Sequence, residues 1–328
     1  MDFAMPRIIS VPDSSRLNTY ISDWTYATGT RPCMHIERSE YKNTILNHHW
    51  IRNNKHLFDI VHFHWKFDRD DLFSTISAFY TLKKYGIKIL WTAHEVFPHD
   101  ESGFLTSLLT KWFLFKVADR IIVHCHNTEE VLRRYFGREK SIIYIEHPDY
   151  DIDFYTKSDA KSILNENRFM FLCFGNMKPY KGFQQAVNAF PGDSIDKSLW
   201  IVGEMPSSNP ASLSINKNGV VLHTGPATKR ELELIVGAAD VCILPYKWCT
   251  ASGALTYLKQ YGKPIIISNA RCLQMEGYPY GILRFGTTSD LRNAMISSIN
   301  IAHENNLTLE RNINNPIYKA KASSIYNF

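Results

Sequence analysis

Several things are missing from this sequence, and each absence removes a class of protein. No CxxC spacing links any of the six cysteines, Cys33, Cys125, Cys173, Cys242, Cys249 and Cys272. Most stand inside apolar runs, so they read as reduced core residues of a cytoplasmic protein rather than as zinc ligands or a disulfide framework. No apolar run approaches the roughly 18 residues that a membrane span needs. The stretch from Met1 to Pro12 has no charged start followed by a long apolar core, so no signal peptide is expected. Internal repeats and low-complexity segments are lacking. Neither sign of charge dominates: 37 basic residues face 32 acidic ones, a net of +5. So mild an excess does not indicate nucleic acid, but it suits a protein that meets anionic small molecules or a membrane surface.

What is present is a globular composition, 45% hydrophobic and 21% charged, over 328 residues, enough for two domains with a core each. Short apolar runs recur at 7–11, 33–36, 59–65, 87–92, 120–123 and 141–145, then at 169–174, 199–203, 220–223, 241–244, 264–268 and 282–285. Several are near-continuous Val, Ile, Leu and Phe, the pattern of strands buried on both faces of a parallel sheet. Helix-length segments separate most of them, at 15–28, 72–84, 104–118, 128–135, 183–189, 229–238, 251–261 and 289–301. The alternation predicts an α/β protein with doubly wound sheets, and two six-stranded Rossmann-like domains suit it better than one twelve-stranded sheet. The rhythm lapses after Pro148. That places a first domain at 1–150, a linker at 151–167, a second domain at 168–304 and a tail at 305–328 that packs back on the first domain or frays.

Open α/β sheets bind ligands at the carboxyl ends of their strands. After the run 169–174 come Gly175, Asn176, Met177, Lys178, Pro179, Tyr180, Lys181 and Gly182. Two lysines ahead of a helix suit a diphosphate; a solvated turn is the plainer alternative. Glu204 follows the next run. Leu244, Pro245 and Tyr246 lead into Thr250, Ala251, Ser252 and Gly253, a second anion-binding turn or an ordinary helix cap.

In the first half, histidines crowd the strand ends. His62 and His64 point to one face of their strand. His94 is followed by His99, Asp100 and Glu101, and His124 and His126 end the next run. A general base is sought among Asp100, His94 and Glu101, in that order, with the remaining histidines as neighbours or satisfied core groups. The His-x-His pairs also allow a His-ligated metal hydrolase, although a single-core hydrolase barrel leaves the phosphate-like turns of the second half unexplained. Asp13 or Ser14, after the first run, caps a helix or faces the ligand. Leu105, Leu108, Leu109 and Trp112, flanked by Lys111, Lys116 and Arg120, form either a buried helix face or a membrane-interface segment.

The second half resembles the GT-B nucleotide-sugar glycosyltransferases, particularly the family-4-like branch that builds bacterial surface polysaccharides. The likeness rests on Phe174-Gly175, Tyr180-Lys181-Gly182, Leu244-Pro245-Tyr246, Ser252-Gly253 and Gly262-Lys263-Pro264. The first half adds a His62-Phe63-His64-Trp65 strand and a Thr92-x-His94-x-x-x-Pro98-His99 segment of the kind found in such polysaccharide enzymes. The resemblance implies a nucleoside-diphosphate sugar (UDP- or GDP-linked) as donor, its diphosphate held by Lys181 with Lys178, and contacts from Ser252 and Gly253. It implies a saccharide or lipid-linked saccharide acceptor, action at the cytoplasmic membrane face and no obligatory metal or other cofactor. Two departures stand out. The glutamates that retaining members carry seven residues apart are Cys249 and Tyr257 here, and the arginine after the strand-end glycine is Asn176. The missing glutamates favour an inverting hexosyl transfer. A nucleotide-sugar epimerase of the same architecture and a non-enzymatic two-lobed nucleotide- or sugar-binding protein are the other readings.

Overall fold

The computed structural model describes residues 6–11, 20–30, 32–64, 72–94, 96, 104–137, 141–192, 195–206, 210–249, 252–273, 282–302 and 316–326. Asp13, Ser14, His99, Asp100, Glu101 and Thr250 lie outside them.

Two compact units form, Met1–Tyr150 with Asn312–Phe328, and Asp151–Arg311. The first is a parallel sheet ordered β2-β1-β3-β4-β5-β6, with β1 at Ile8–Val11, β2 at Met34–His35, β3 at Ile60–Phe63, β4 at Lys88–Thr92, β5 at Arg120–Val123 and β6 at Ile142–Tyr144. Ile8, Ile9, Ile60, Val61, Ile89, Leu90, Ile121 and Ile122 are buried on both faces, as expected of a covered parallel sheet. One face packs against α2 (His48–Asn54), α3 (Leu72–Lys84), α4 (Phe104–Val117) and α5 (His126–Tyr135) through Ile51, Phe79, Leu82, Leu114, Phe115 and Leu132. The other is covered by α1 (Tyr20–Thr28) and α11 (Pro316–Ser323), whose Ile21, Trp24 and Ala322 share a core with Ile8, Ile60, Leu90, Ile325 and Tyr326.

The second unit's sheet runs β12-β11-β10-β7-β8-β9, also parallel. Its strands are β7 (Phe169–Phe174), β8 (Lys197–Gly203), β9 (Val220–Thr224), β10 (Val241–Leu244), β11 (Ile265–Ser268) and β12 (Ile282–Phe285). The crossovers are α6 (Lys157–Leu164), α7 (Phe183–Ala189), α8 (Lys229–Ala238), α9 (Gly253–Lys259) and α10 (Thr288–Ala302). The strand order reverses between β7 and β10. That reversal is where a doubly wound sheet opens a crevice for a ligand.

Three helices escape the sequence pattern: α2, α6 and α11. Helix α6 falls where an irregular linker is expected. Thr156 caps its N-terminus through Asp159, and Asn165 ends it in the left-handed conformation. Only Ala160 is buried, so no apolar stripe announces the helix. It is held to the second unit by Asp240, which accepts from Lys161 (2.6 Å) and from the Met170 amide (2.8 Å). Helix α2 is equally quiet, with Asn47 as its cap and Ile51 its one buried residue. Cys249 and Cys272 are joined as a disulfide, with Cα atoms 5.6 Å apart, which corrects the expectation of six reduced cysteines. They stand in loops after β10 and β11 that meet in space but not in sequence. Among the described residues no helix is long and apolar enough to cross a membrane.

Candidate functional site

In the second unit the site grows from backbone constraints at the β7–β10 reversal. Gly175 follows β7 directly, and the Met177 amide donates to the Glu204 carbonyl (2.8 Å), tying the turn to the loop after β8. A short 3-10 turn over Pro179–Lys181 follows and closes on Gly182 at φ +67°. A Cβ at Gly182 would collide with the Pro245 carbonyl, so only glycine lets this turn lie against the loop after β10. Gly203 plays the same part beneath: a Cβ there would strike the Gly175 backbone. The Lys247 amide then donates to Tyr180 O (2.8 Å), and the Ser268 hydroxyl donates to Tyr246 O.

These restraints bring Lys181, Tyr246 and Ser252 together. Lys181 Nζ donates to the Tyr246 hydroxyl (2.6 Å) and lies 3.9 Å from that ring's centroid. Ser252 also hydrogen-bonds the Tyr246 phenol, and burial pushes that phenol's pKa well up, keeping it protonated at neutral pH. Ser252 caps α9 by accepting from the Leu255 amide (3.2 Å), so its capping role is real. Tyr246 is buried, whereas Lys181, Ser252 and Gly253 are half-buried. Asn176 and Glu204 are exposed at the rim and Lys178 is half-buried at the start of the 3-10 turn. Chemically this is a cation and hydroxyl donors set side by side, the make-up of an anion site. The positions where glutamates would stand offer no carboxylate: Cys249 is disulfide-bonded, and Tyr257 is buried with its hydroxyl 3.4 Å from that of Tyr261.

In the first unit, five imidazoles gather at the strand ends around Tyr20. The His62 and His64 rings lie 3.8 Å apart. Tyr20 sits 4.5 Å from His94, 5.7 Å from His124 and 5.1 Å from His147, ring to ring. The hydrogen bonds set the tautomers. His124 Nδ1 donates to the Ile145 carbonyl (2.8 Å), leaving Nε2 to accept from the Tyr20 hydroxyl (2.8 Å). His147 Nδ1 donates to the Pro148 carbonyl. His62 bridges the Tyr326 and Thr92 hydroxyls, each at 2.8 Å. Burial first, then the other histidines, holds His62, His64 and His94 well below the ordinary histidine pKa. The same burial lowers His124 to about 3 and His147 to about 4. All five are therefore neutral at pH 7. Among the described residues, no group of three or more His, Cys, Asp and Glu is placed to hold a metal.

His126 does not join them. It is the first residue of α5, exposed and stacked on Tyr144 at 4.0 Å. Sequence reasoning missed Tyr20, His147 and Tyr326. The strand-end rule applied to β6 points to His147; nothing local marks Tyr20 or Tyr326, which arrive from α1 and the tail.

Residues 21–148 match the model of glycosyltransferase family 4, and residues 168–297 match that of glycosyl transferases group 1, together more than half of the chain. The chain belongs to the GT-B glycosyltransferases. No curated protein matches it in sequence. Among solved structures it resembles sucrose-phosphate synthase from Thermosynechococcus elongatus (TM-score 0.71, 16% identity, covering 98% of this chain and 95% of that one). It also resembles HepE from Anabaena in complex with UDP-glucose (0.69, 13%, 99% and 95%). A third likeness is to α,α-trehalose-phosphate synthase from Burkholderia xenovorans with glucose-6-phosphate (0.57, 10%, 98% and 97%). These similarities establish the GT-B fold of this glycosyltransferase.

Proposed function

We propose that this glycosyltransferase moves a hexose from a nucleoside-diphosphate sugar, most simply UDP-glucose, to a saccharide or lipid-linked saccharide acceptor in surface polysaccharide synthesis. The observation that carries the donor half is the Lys181–Tyr246–Ser252 cluster at the sheet's reversal point. There the lysine's charge and the hydroxyls meet the diphosphate as it departs, an electrostatic role that needs no metal. That HepE is described with UDP and UDP-glucose supports uridine as the donor base. Inversion at the anomeric carbon is part of the proposal, because Cys249 and Tyr257 offer no carboxylate. The first unit is assigned the acceptor and the base, from among Asp100, His94 and Glu101. Lys178, Asn176, Glu204, Thr250 and Gly253 are assigned to the donor's surroundings, and Asp13, Ser14, His62, His64 and His99 to the acceptor side.

The test is donor turnover with UDP- and GDP-sugars against an acceptor panel, with the product's anomeric configuration read by NMR. Lys181→Ala should lower kcat/KM by about 100-fold, the scale of one lost charge-assisted contact in the transition state, while leaving the melting temperature nearly unchanged. Wild-type turnover in that variant would overturn the donor site, and an epimerised donor formed without acceptor would overturn transfer.

Peripheral membrane contact is proposed from α3 and α4. Phe73 (84% exposed) and Tyr80 (73%) lie on the outer face of α3, and Leu105 (66%) and Trp112 (38%) on that of α4. Both helices carry lysine in the last turn. An apolar face rimmed by basic residues suits an anionic lipid surface. Lys111, expected to flank the stripe, is buried, and Leu108 is half-buried.

A further inference from the structure

Trp248 is an unusual residue in its place. It stands four positions after β10 in a loop whose neighbours, Tyr246 and Cys249, are buried, yet the residue itself is 38% exposed. A tryptophan ring left partly open beside a cation and hydroxyl donors offers a face to a ligand. Its ring centroid lies 5.3 Å from that of Tyr180, with 36° between the planes. Tyr180 in turn is 6.2 Å from Tyr246, and Lys181 Nζ is 5.5 Å from the Tyr180 ring. Cation and paired rings are therefore immediate neighbours.

Both rings are also held from their backbones. Tyr180 sits in the 3-10 turn that Gly182 locks against Pro245, and its carbonyl accepts from the Lys247 amide, one residue before Trp248. On the other side of Trp248, Cys249 is fixed to the loop after β11 by the disulfide. A platform anchored at both ends has little left to order when a ligand arrives, which is how a preorganised site gains affinity.

We propose that Tyr180 and Trp248 form the platform on which the donor's hexose rests. The inference deepens the donor reading given above and rests on it. If Lys181 holds the diphosphate, the hexose is one bond away from the group it holds, within reach of these rings. A pyranose presents a face of polarised C–H bonds, and an aromatic face carries the negative lobe of its quadrupole, so the two attract while burying apolar area. The platform gives the sugar a partner in the loop where Cys249 stands in place of a glutamate. Contact with a ring face also tolerates different hydroxyl configurations better than a carboxylate, which demands hydrogen bonds in set directions.

Calorimetric titration of the full chain separates the sugar from the nucleotide: UDP against UDP-glucose, with GDP against GDP-mannose in parallel. Trp248→Ala should bind the bare nucleoside diphosphate within about twofold of wild type and the sugar conjugate about tenfold or more weakly, the worth of one stacked ring. Trp248→Phe should recover most of that loss, and Tyr180→Ala should reproduce it. Circular dichroism on each variant confirms the fold. Unchanged binding of the conjugate in Trp248→Ala and Tyr180→Ala overturns the platform. An equal loss for nucleotide and conjugate also overturns it, because the rings then hold the base. Both results leave the donor site standing. A wild-type protein that binds none of the four ligands overturns the donor reading, and the platform with it.

Discussion

Gly182 decides more than its size suggests. Its positive φ ends the Pro179–Lys181 turn, and its missing side chain lets that turn touch Pro245. Lys181 and Tyr246 meet only because of that approach. Gly182→Ala should therefore cost about 2 kcal/mol or more, from left-handed strain and the collision with backbone. The lost stability is read from the urea midpoint, and donor affinity should fall with it. A variant as stable as wild type would mean that the two loops do not depend on this contact. The histidines make a second residue-scale prediction. Their folded pKa values lie below the ordinary 6.5, so the unfolded chain binds protons that the folded one refuses. Stability is then fully present above about pH 6.5 and is lost as the pH falls toward 4. Each histidine titrating alone contributes about 1.4 kcal/mol per pH unit in that window, so the melting temperature should drop by about 5 °C or more between pH 7 and pH 5. A flat profile over that range would contradict the buried, neutral cluster.

At the scale of elements, α3 and α4 show how far periodicity reaches. The span 72–84 is that of α3, and 104–118 exceeds α4 by one residue. Long runs rich in apolar residues made both legible. Burial did not follow: Lys111 turns inward and Leu105 outward, because the neighbour that covers a helix is set by the sheet order rather than by the helix's own sequence. The open stripe predicts binding to vesicles of phosphatidylcholine with phosphatidylglycerol, and Phe73→Ser with Leu105→Ser should weaken it about tenfold or more. Flotation measures this directly, and equal binding of the double variant would remove the helices from any membrane contact. Helices α2, α6 and α11 were illegible for the opposite reason: each is short, and α2 and α6 bury a single residue each, too little for a sequence pattern to register. The candidate site divides the same way. The Gly175–Gly182 turn and the Tyr246–Gly253 stretch follow from strand-end glycines and small residues. The Cys249–Cys272 bond and the Tyr20–His147 proximity do not, because both join segments brought together by the fold alone.

For the molecule as a whole, the twelve strands among the described residues and both sheets were legible. The inner strands, buried on two faces, carry a continuous apolar signal, and the edge strands β6 and β9 still carry short Val, Ile and Leu runs although they are half-buried or exposed. For the tail the sequence left two readings, packing back on the first domain or fraying. Residues 312–328 belong to the first unit, and the Tyr326 hydroxyl accepts from Trp24 Nε1 (2.9 Å) and hydrogen-bonds His62 (2.8 Å). Arg120 reaches the Ile325 carbonyl beside it (2.7 Å). Tyr326→Phe should lose about 2 kcal/mol, since it leaves two buried groups without their shared partner. Chemical denaturation tests this, and a neutral result would make the tail dispensable to the first unit.

Synthesis on the ribosome gives that closure a further meaning. Trp24 is translated 302 residues before Tyr326. At ordinary elongation rates the interval is about 15–60 s. The second unit has by then emerged with every strand it needs, whereas the first still lacks the segment that seals one face of its sheet. The half of the protein made first is thus the half completed last, and through that interval its Trp24 and His62 wait for a partner not yet made.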